Sequence, residues 1–153
     1  MICVLSLGSN LGDRLAHLRA GVEVLEPYAV SPVWQTPPVG GVEQPDFLNV
    51  VALCVWDADE GWRRAQVAEA RAGRDRAPDV VRWGPRTLDV DVVVADGAHP
   101  DLVLPHPRAA ERAFVLLPWL DLDPDAVLPG AGRVAELAAR LDATGLHRLR
   151  DAL

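Results

Sequence analysis

Leu88-Asp89-Val90-Asp91-Val92 alternates apolar and acidic residues without a break. A β-strand sends successive side chains to opposite faces, so this segment is dry on one side and acidic on the other. Leu88, Val90 and Val92 enter a core, while Asp89 and Asp91 stand together on the opposite face. Two adjacent carboxylates repel each other unless a cation sits between them. Ligation by carboxylates alone suits Mg²⁺, which binds through one or two of them together with substrate phosphates. Arg82 and Arg86 lie just upstream, and guanidinium groups match phosphate geometry. The combination points to chemistry on a nucleoside triphosphate.

The 153 residues suit one domain, and 50% hydrophobic residues are enough for a sizeable core. No run of 18 apolar residues occurs, so no membrane span is expected. The chain starts at once with the strand-like Ile2-Cys3-Val4-Leu5-Ser6-Leu7, without the basic segment of a signal peptide. A cytoplasmic location is the expectation. Cys3 and Cys54, each in an apolar run, read as buried free thiols. The net charge of −7 argues against a general nucleic-acid binder. All fifteen basic residues are arginine, and five of them fall between Arg71 and Arg86. With no lysine there is no P-loop lysine, no Schiff base and no kinase-type strand lysine. A phosphate clamp in this chain must be built from arginine, backbone or metal.

Residues 2–7 read as a strand ending at Gly8. Asp13 can cap a helix with the apolar stripe Leu15, Leu18, Val22 and Leu25, stopped by Pro27. Residues 28–36 read as a second strand and 47–56 as a third, separated by a loop containing Pro37-Pro38, Gly40-Gly41 and Pro45. Asp57 and Glu60 fit a capping box for a helix to Ala72, with Gly73 beyond it. Residues 74–86 are a loop and 87–95 the fourth strand. The order β-α-β-β-α-β predicts an α+β, ferredoxin-like core, with both helices on one sheet face and the other face free for a substrate. Extra C-terminal helices are expected over about 108–120 and 133–141.

Phe47 and Asn49 share a face of the third strand. They suit a heterocyclic ring, Phe by stacking and Asn by pairing donor and acceptor with the ring edge. A core Phe beside a strand-end Asn fits the spacing equally well. Phe114 could offer a second stacking face or simply join the core. The turn Gly8-Ser9-Asn10-Leu11-Gly12-Asp13 is a weak phosphate-loop signal, and a tight turn before a capped helix explains it at least as well. His106, within Leu104-Pro105-His106-Pro107, is open between a site and a structural role. No His/Cys grouping has zinc spacing.

Taken together, Leu7 through Asp13, Thr36-Pro37-Pro38-Val39-Gly40, Gln44 through Asn49, Arg82 through Asp91, Pro105-His106-Pro107 and Arg112-Ala113-Phe114-Val115 closely resemble the 6-hydroxymethyl-7,8-dihydropterin pyrophosphokinase family. The resemblance covers nearly the whole chain in the same order, most specifically in the ten residues ending at Asp91. It implies a single pyrophosphokinase domain over 1–153, acting on ATP and 6-hydroxymethyl-7,8-dihydropterin in folate biosynthesis. Asp89 and Asp91 would hold two Mg²⁺ ions bound with ATP. Phe47 and Phe114 would sandwich the pterin and Asn49 would bond its edge, with Thr36, Pro38, Val39 and Trp83 around it. Gln66, Glu69, Arg74, Arg76, Arg82, Trp83, Arg86, Val92, His106 and Arg112 would line the ATP side, with Arg82 and Arg86 catalytic. No nucleic-acid or membrane partner is implied, and a monomer is expected. An RNA-binding sheet and a different Mg²⁺-dependent phosphoryl or nucleotidyl transferase are the rival readings. The first would need aromatics in an RNP-type motif, and the second would release a product other than AMP.

Overall fold

The computed structural model describes residues 2–38, 43–73, 87–150 and 153. A mixed α/β architecture is built on an antiparallel sheet. Strand β1 (Cys3–Ser9) lies at its centre, flanked by β4 (Phe47–Cys54) and β5 (Asp89–Val94). The sheet runs β5-β1-β4-β3-β8, where β3 is Trp34–Thr36 and β8 is His147–Arg148. A further two-residue strand, β2 (Ala29–Val30), also pairs with β4. All seven residues of β1 are buried, which is why it reads as an almost unbroken apolar run.

The expected strand over 28–36 is two strands rather than one. Ser31 breaks it. Its Oγ accepts the Val51 N–H at 2.9 Å, in the place of a ladder carbonyl, and donates to the Pro32 carbonyl at 2.9 Å. Pro32 has no N–H to continue the ladder.

Helices α1 (Arg14–Leu25) and α2 (Ala58–Arg71) cover one face. Asp13 caps α1 through the Ala16 N–H at 3.1 Å, and Glu26 closes it with a left-handed φ of 49° before Pro27. Asp57 caps α2 through the Glu60 N–H at 2.9 Å. The return half of the expected capping box is replaced, because the Glu60 carboxylate binds Arg63 and Arg64. Beneath the helices, Leu5, Leu7, Leu48, Val50, Leu88, Val90 and Val92 form the core with Leu18 and Leu25. Burying each such side chain contributes about 1.5–3 kcal/mol. Cys3 and Cys54 face each other across β1 and β4 as buried free thiols. Burial pushes Cys3 up to about 12 and Cys54 up to about 11.

Helix α1 approaches the sheet closely at Gly21. A Cβ there would lie 2.9 Å from Leu88 Cδ2 and 3.0 Å from Leu7 Cδ2, both on fully buried side chains. Overpacking outweighs the better helix propensity of alanine, so Gly21→Ala should destabilise the fold by about 1–2 kcal/mol. Urea unfolding checks this; a stabilised variant would mean that the contact yields freely.

The second sheet face is only partly free, contrary to expectation. Helix α3 (Ala113–Leu122) and the short α4 (Val134–Ala139) lie over one part of it. There Val115, Leu116 and Trp119 pack with Val4, Val51, Leu53 and Val93. The helix expected over 108–120 is divided into a 3-10 turn, Ala109–Glu111, and α3, because Arg112 between them is extended at φ −110° and ψ 94°. A hairpin of β6 (Val127–Leu128) and β7 (Gly132–Arg133) precedes α4. The rest of this face, at the Asp89 end of β5, stays open. Among the described residues, no helix is long and apolar enough to cross a membrane.

Candidate active site

Sheet register assembles the open region. Asp89 lies opposite Gly8 on β1, Gly8 opposite Asn49 on β4, and Asn49 opposite Trp34 on β3. On one side of that row Asp91 lies opposite Ser6, and on the other side Thr36 lies opposite Phe47. Residues far apart in sequence thus form three successive rows on one face. They floor a cavity of about 830 Å³ whose walls include Phe114, Arg112 and His106.

The carboxylate end is partly solvated. The Asp91 side chain is 48% exposed, and one oxygen stands 3.5 Å from Arg112 Nη1. The Arg112 guanidinium also reaches over the Phe114 ring, 5.5 Å from its centroid. His106 is held by its backbone, whose N–H donates to the Val93 carbonyl at 2.8 Å. Its Nδ1 accepts the Arg108 N–H at 3.1 Å, which puts the proton of the neutral ring on Nε2. Burial lowers the His106 pKa, Asp91 opposes this, and Arg112 and Arg108 add to it.

The opposite end is polar at one point and aromatic around it. Asn49 is buried and donates from Nδ2 to Thr36 Oγ1 at 2.6 Å. Its Oδ1 lies directly over Gly8, where a Cβ would approach to 2.5 Å. Only glycine at position 8 leaves room for the amide in this pose. The remaining donor and the carbonyl of Asn49 offer a paired edge, as ring recognition requires.

The cavity therefore gathers Thr36, Pro38, Phe47, Asn49, Phe114, Asp89, Asp91, His106 and Arg112. Three other expected residues sit elsewhere. Val92 is 3% exposed with its side chain in the core beneath α2, as alternation from Asp91 requires. Its side chain does not line the cavity. Glu69 is buried on α2 and accepts the Val90 N–H at 2.9 Å, satisfying a backbone donor of the end strand β5. Gln66 lies on the same helix, half-buried. Val39, Arg74, Arg76, Arg82, Trp83 and Arg86 lie outside the described residues.

The turn after β1 is a brace. Asn10 Nδ2 donates to Gln44 Oε1 at 2.7 Å and to the Pro45 carbonyl at 3.0 Å, and Arg14 Nη1 reaches the Asp46 carbonyl at 3.0 Å. These bonds tie the segment before Phe47 to the start of α1. Sequence reasoning missed Gly8 as a site residue, although a glycine inside an apolar strand signals close approach by another group. It also missed Leu141, Asp142, Thr144 and Leu146, which line the cavity from the C-terminal region and carry no pattern that marks them.

The 7,8-dihydro-6-hydroxymethylpterin-pyrophosphokinase (HPPK) family matches residues 4–124. A 2-amino-4-hydroxy-6-hydroxymethyldihydropteridine pyrophosphokinase from Mycobacterium leprae is 47% identical over 168 residues, covering 96% of this chain and 86% of the relative. Proteins of the same name from Methylorubrum extorquens and Pseudomonas aeruginosa are 40% and 36% identical, covering 95% and 94% of this chain and 96% and 94% of their own lengths. The motif resemblance, the cavity and these relatives agree, and the chain belongs to the HPPK family.

Proposed function

We infer that this enzyme transfers a pyrophosphoryl group from ATP to the hydroxymethyl oxygen of 6-hydroxymethyl-7,8-dihydropterin, in folate biosynthesis. That oxygen attacks the β-phosphorus and loses its proton. The bond from the β-phosphorus to the α,β-bridging oxygen breaks, AMP leaves, and the pterin diphosphate is formed. The observation that carries the reading is one cavity with the carboxylates Asp89 and Asp91 at one end and the Phe47, Asn49, Thr36 and Phe114 group at the other. The first end suits charged phosphates and the second a flat polar ring.

Asp89 and Asp91 fit Mg²⁺. Their donors are hard oxygens, and among the described residues no group of three or more His, Cys, Asp or Glu could enclose a metal. Two carboxylates leave most positions to water and phosphate, as Mg²⁺ prefers. Two ions bound there with ATP would neutralise phosphate charge and align the groups for in-line transfer.

The protein's own part is positioning. Asn49, oriented by Thr36, holds the ring edge, and Phe47 and Phe114 hold its faces. Arg112 is placed to exchange Asp91 for a phosphate oxygen. His106 presents a neutral Nε2–H, a donor rather than a base. Val39 and Trp83 complete the ring side. Arg74, Arg76, Arg82 and Arg86 complete the phosphate clamp. Gln66 and Glu69 extend the nucleotide side at the β5 edge, where Val92 has only its backbone to offer. The strand order β5-β1-β4-β3, with α1 and α2 on one face, supports a ferredoxin-like reading. We take the chain as one catalytic domain over 1–153, a cytoplasmic monomer without nucleic-acid or membrane partners.

Incubation with ATP, Mg²⁺ and the reduced pterin should yield AMP and pterin diphosphate in equal amounts. ADP or free pyrophosphate as the coproduct would overturn the reading.

Asn49→Ala should weaken pterin binding by about 1–3 kcal/mol, the scale for losing a buried hydrogen-bond partner, and leave ATP binding almost unchanged. Gly8→Ala should do nearly the same, since the added methyl evicts the Asn49 carbonyl. Calorimetric titration of both ligands checks the pair. Loss of ATP binding with pterin binding kept would put Asn49 at the wrong end.

A further inference from the structure

The family match ends at residue 124, but the cavity wall does not. Leu141, Asp142, Thr144 and Leu146 line it from a segment near the C-terminus. This segment is locally ordered. Thr144 N–H donates to Asp142 Oδ1 at 2.9 Å, and Leu146 N–H to the Ala143 carbonyl at 3.1 Å. Gly145, at φ +85°, brings its backbone onto Pro37, where a Cβ would sit 3.4 Å from Cγ. Pro37 follows Thr36, so the segment rests at the Asn49 end of the cavity, not the carboxylate end.

Its far side is clamped. Strand β8 pairs with β3, Arg148 opposite Trp34 and His147 opposite Gln35. Arg148 Nη2 and Nε donate to the two Asp121 oxygens at 2.6 and 3.2 Å, and Trp34 Nε1 donates to the same carboxylate at 2.8 Å. The guanidinium also lies over the Trp34 ring, 5.2 Å from its centroid. The Asp121 side chain is only 15% exposed. The Arg148 half of the pair is exposed, but a fork on a carboxylate that Trp34 also holds, through a part-buried bond, fixes geometry in a way that a single loose surface contact does not.

We propose that residues 141–146 form the substrate-binding wall against the acceptor ring. Leu141 and Leu146 are its apolar contacts, and Arg148 is the positioning residue that sets the wall through Asp121. The proposal rests on the pterin assignment above. A mere structural cap would affect both ligands alike or neither; a ring wall affects one.

The test uses the full chain with Leu146→Ala, Arg148→Ala and Arg148→Lys. Equilibrium binding is measured for a non-hydrolysable ATP analogue alone, and for 6-hydroxymethyl-7,8-dihydropterin in its presence, with steady-state kinetics beside them. Leu146→Ala should weaken pterin binding about tenfold, as expected for lost apolar contact. Its pterin KM should rise by more than kcat falls, and the analogue's affinity should stay within about twofold. Arg148→Ala should give the same pattern. Arg148→Lys should restore part of the affinity, since an ammonium can keep one bond of the fork. Pterin affinity unchanged in both alanine variants, or an equal loss for both ligands, would overturn the wall. Wild-type protein that binds no pterin would instead overturn the function on which it rests.

Discussion

Asp89→Ala or Asp91→Ala should lower turnover by about a hundredfold or more while the unfolding midpoint barely moves. Both side chains stand on the open face of β5, whereas Leu88, Val90 and Val92 on the opposite face carry the packing. Surface changes of this kind usually alter stability by less than about 0.5 kcal/mol, and at Asp91 the relief of like-charge repulsion offsets the lost contact with Arg112. The effect on activity has a different origin. The pair sets two carboxylates side by side on the cavity floor without an enclosing cage. Asn at either position keeps the shape but is a poor Mg²⁺ ligand, so it should harm turnover nearly as much. Asp91→Asn also weakens the contact with Arg112, so its ATP dependence should shift more than that of Asp89→Asn. Turnover against Mg²⁺ concentration, with thermal unfolding in parallel, reads both effects. Near-normal turnover of the two Asn variants at limiting Mg²⁺ would sink the metal assignment.

The same alternation is what makes part of the site legible in the amino-acid sequence. Period two over residues 88–92 places the carboxylates and the core residues on opposite faces, and Phe47 with Asn49 obeys the same rule on β4. Capping by Asp13 and Asp57 is local chemistry and reads directly from side-chain type. Features that depend on distant partners do not. The break at Ser31 requires its hydroxyl to replace a backbone acceptor for Val51, and hydroxyl-bearing strand residues usually do no such thing. Strands of two residues, such as β6, β7 and β8, are too short to have a period. Helix α3 is apolar at every position but Asp121, which says that it is covered but not that it occupies part of the second sheet face. The wall at 141–146 acquires its place from Asp121, Trp34 and Pro37, none of them near it in sequence.

Arg82→Ala and Arg86→Ala should each lower turnover by roughly a hundredfold to a thousandfold, and lower ATP affinity much less. Both residues lie outside the described part of the structure, and the roles proposed for them rest on the family resemblance together with charge and chain order. Asp91 already has a cation in the described site: Arg112, part-buried and also held over Phe114. Arg112 is already held in place by Asp91 and Phe114, and it should therefore contribute mainly to ground-state binding. Arg82 and Arg86 flank Trp83-Gly84-Pro85, Arg86 stands three positions before Asp89, and the chain has no lysine to share their work. If they meet charge that develops only during transfer, their loss shows in turnover rather than in binding. Arg→Lys should rescue each only partly, because a point charge cannot replace a planar fork. Pre-steady-state transfer and equilibrium ATP binding, measured for Arg82→Ala, Arg86→Ala and Arg112→Ala side by side, separate the two roles. The expected order is a larger rate effect for Arg82 and Arg86 and a larger binding effect for Arg112. Equal losses in rate and affinity at Arg82 and Arg86 would mean that they only hold ATP. No loss in either would return them to a solvated basic loop and leave Arg112 and the carboxylate-bound ions to neutralise the phosphates.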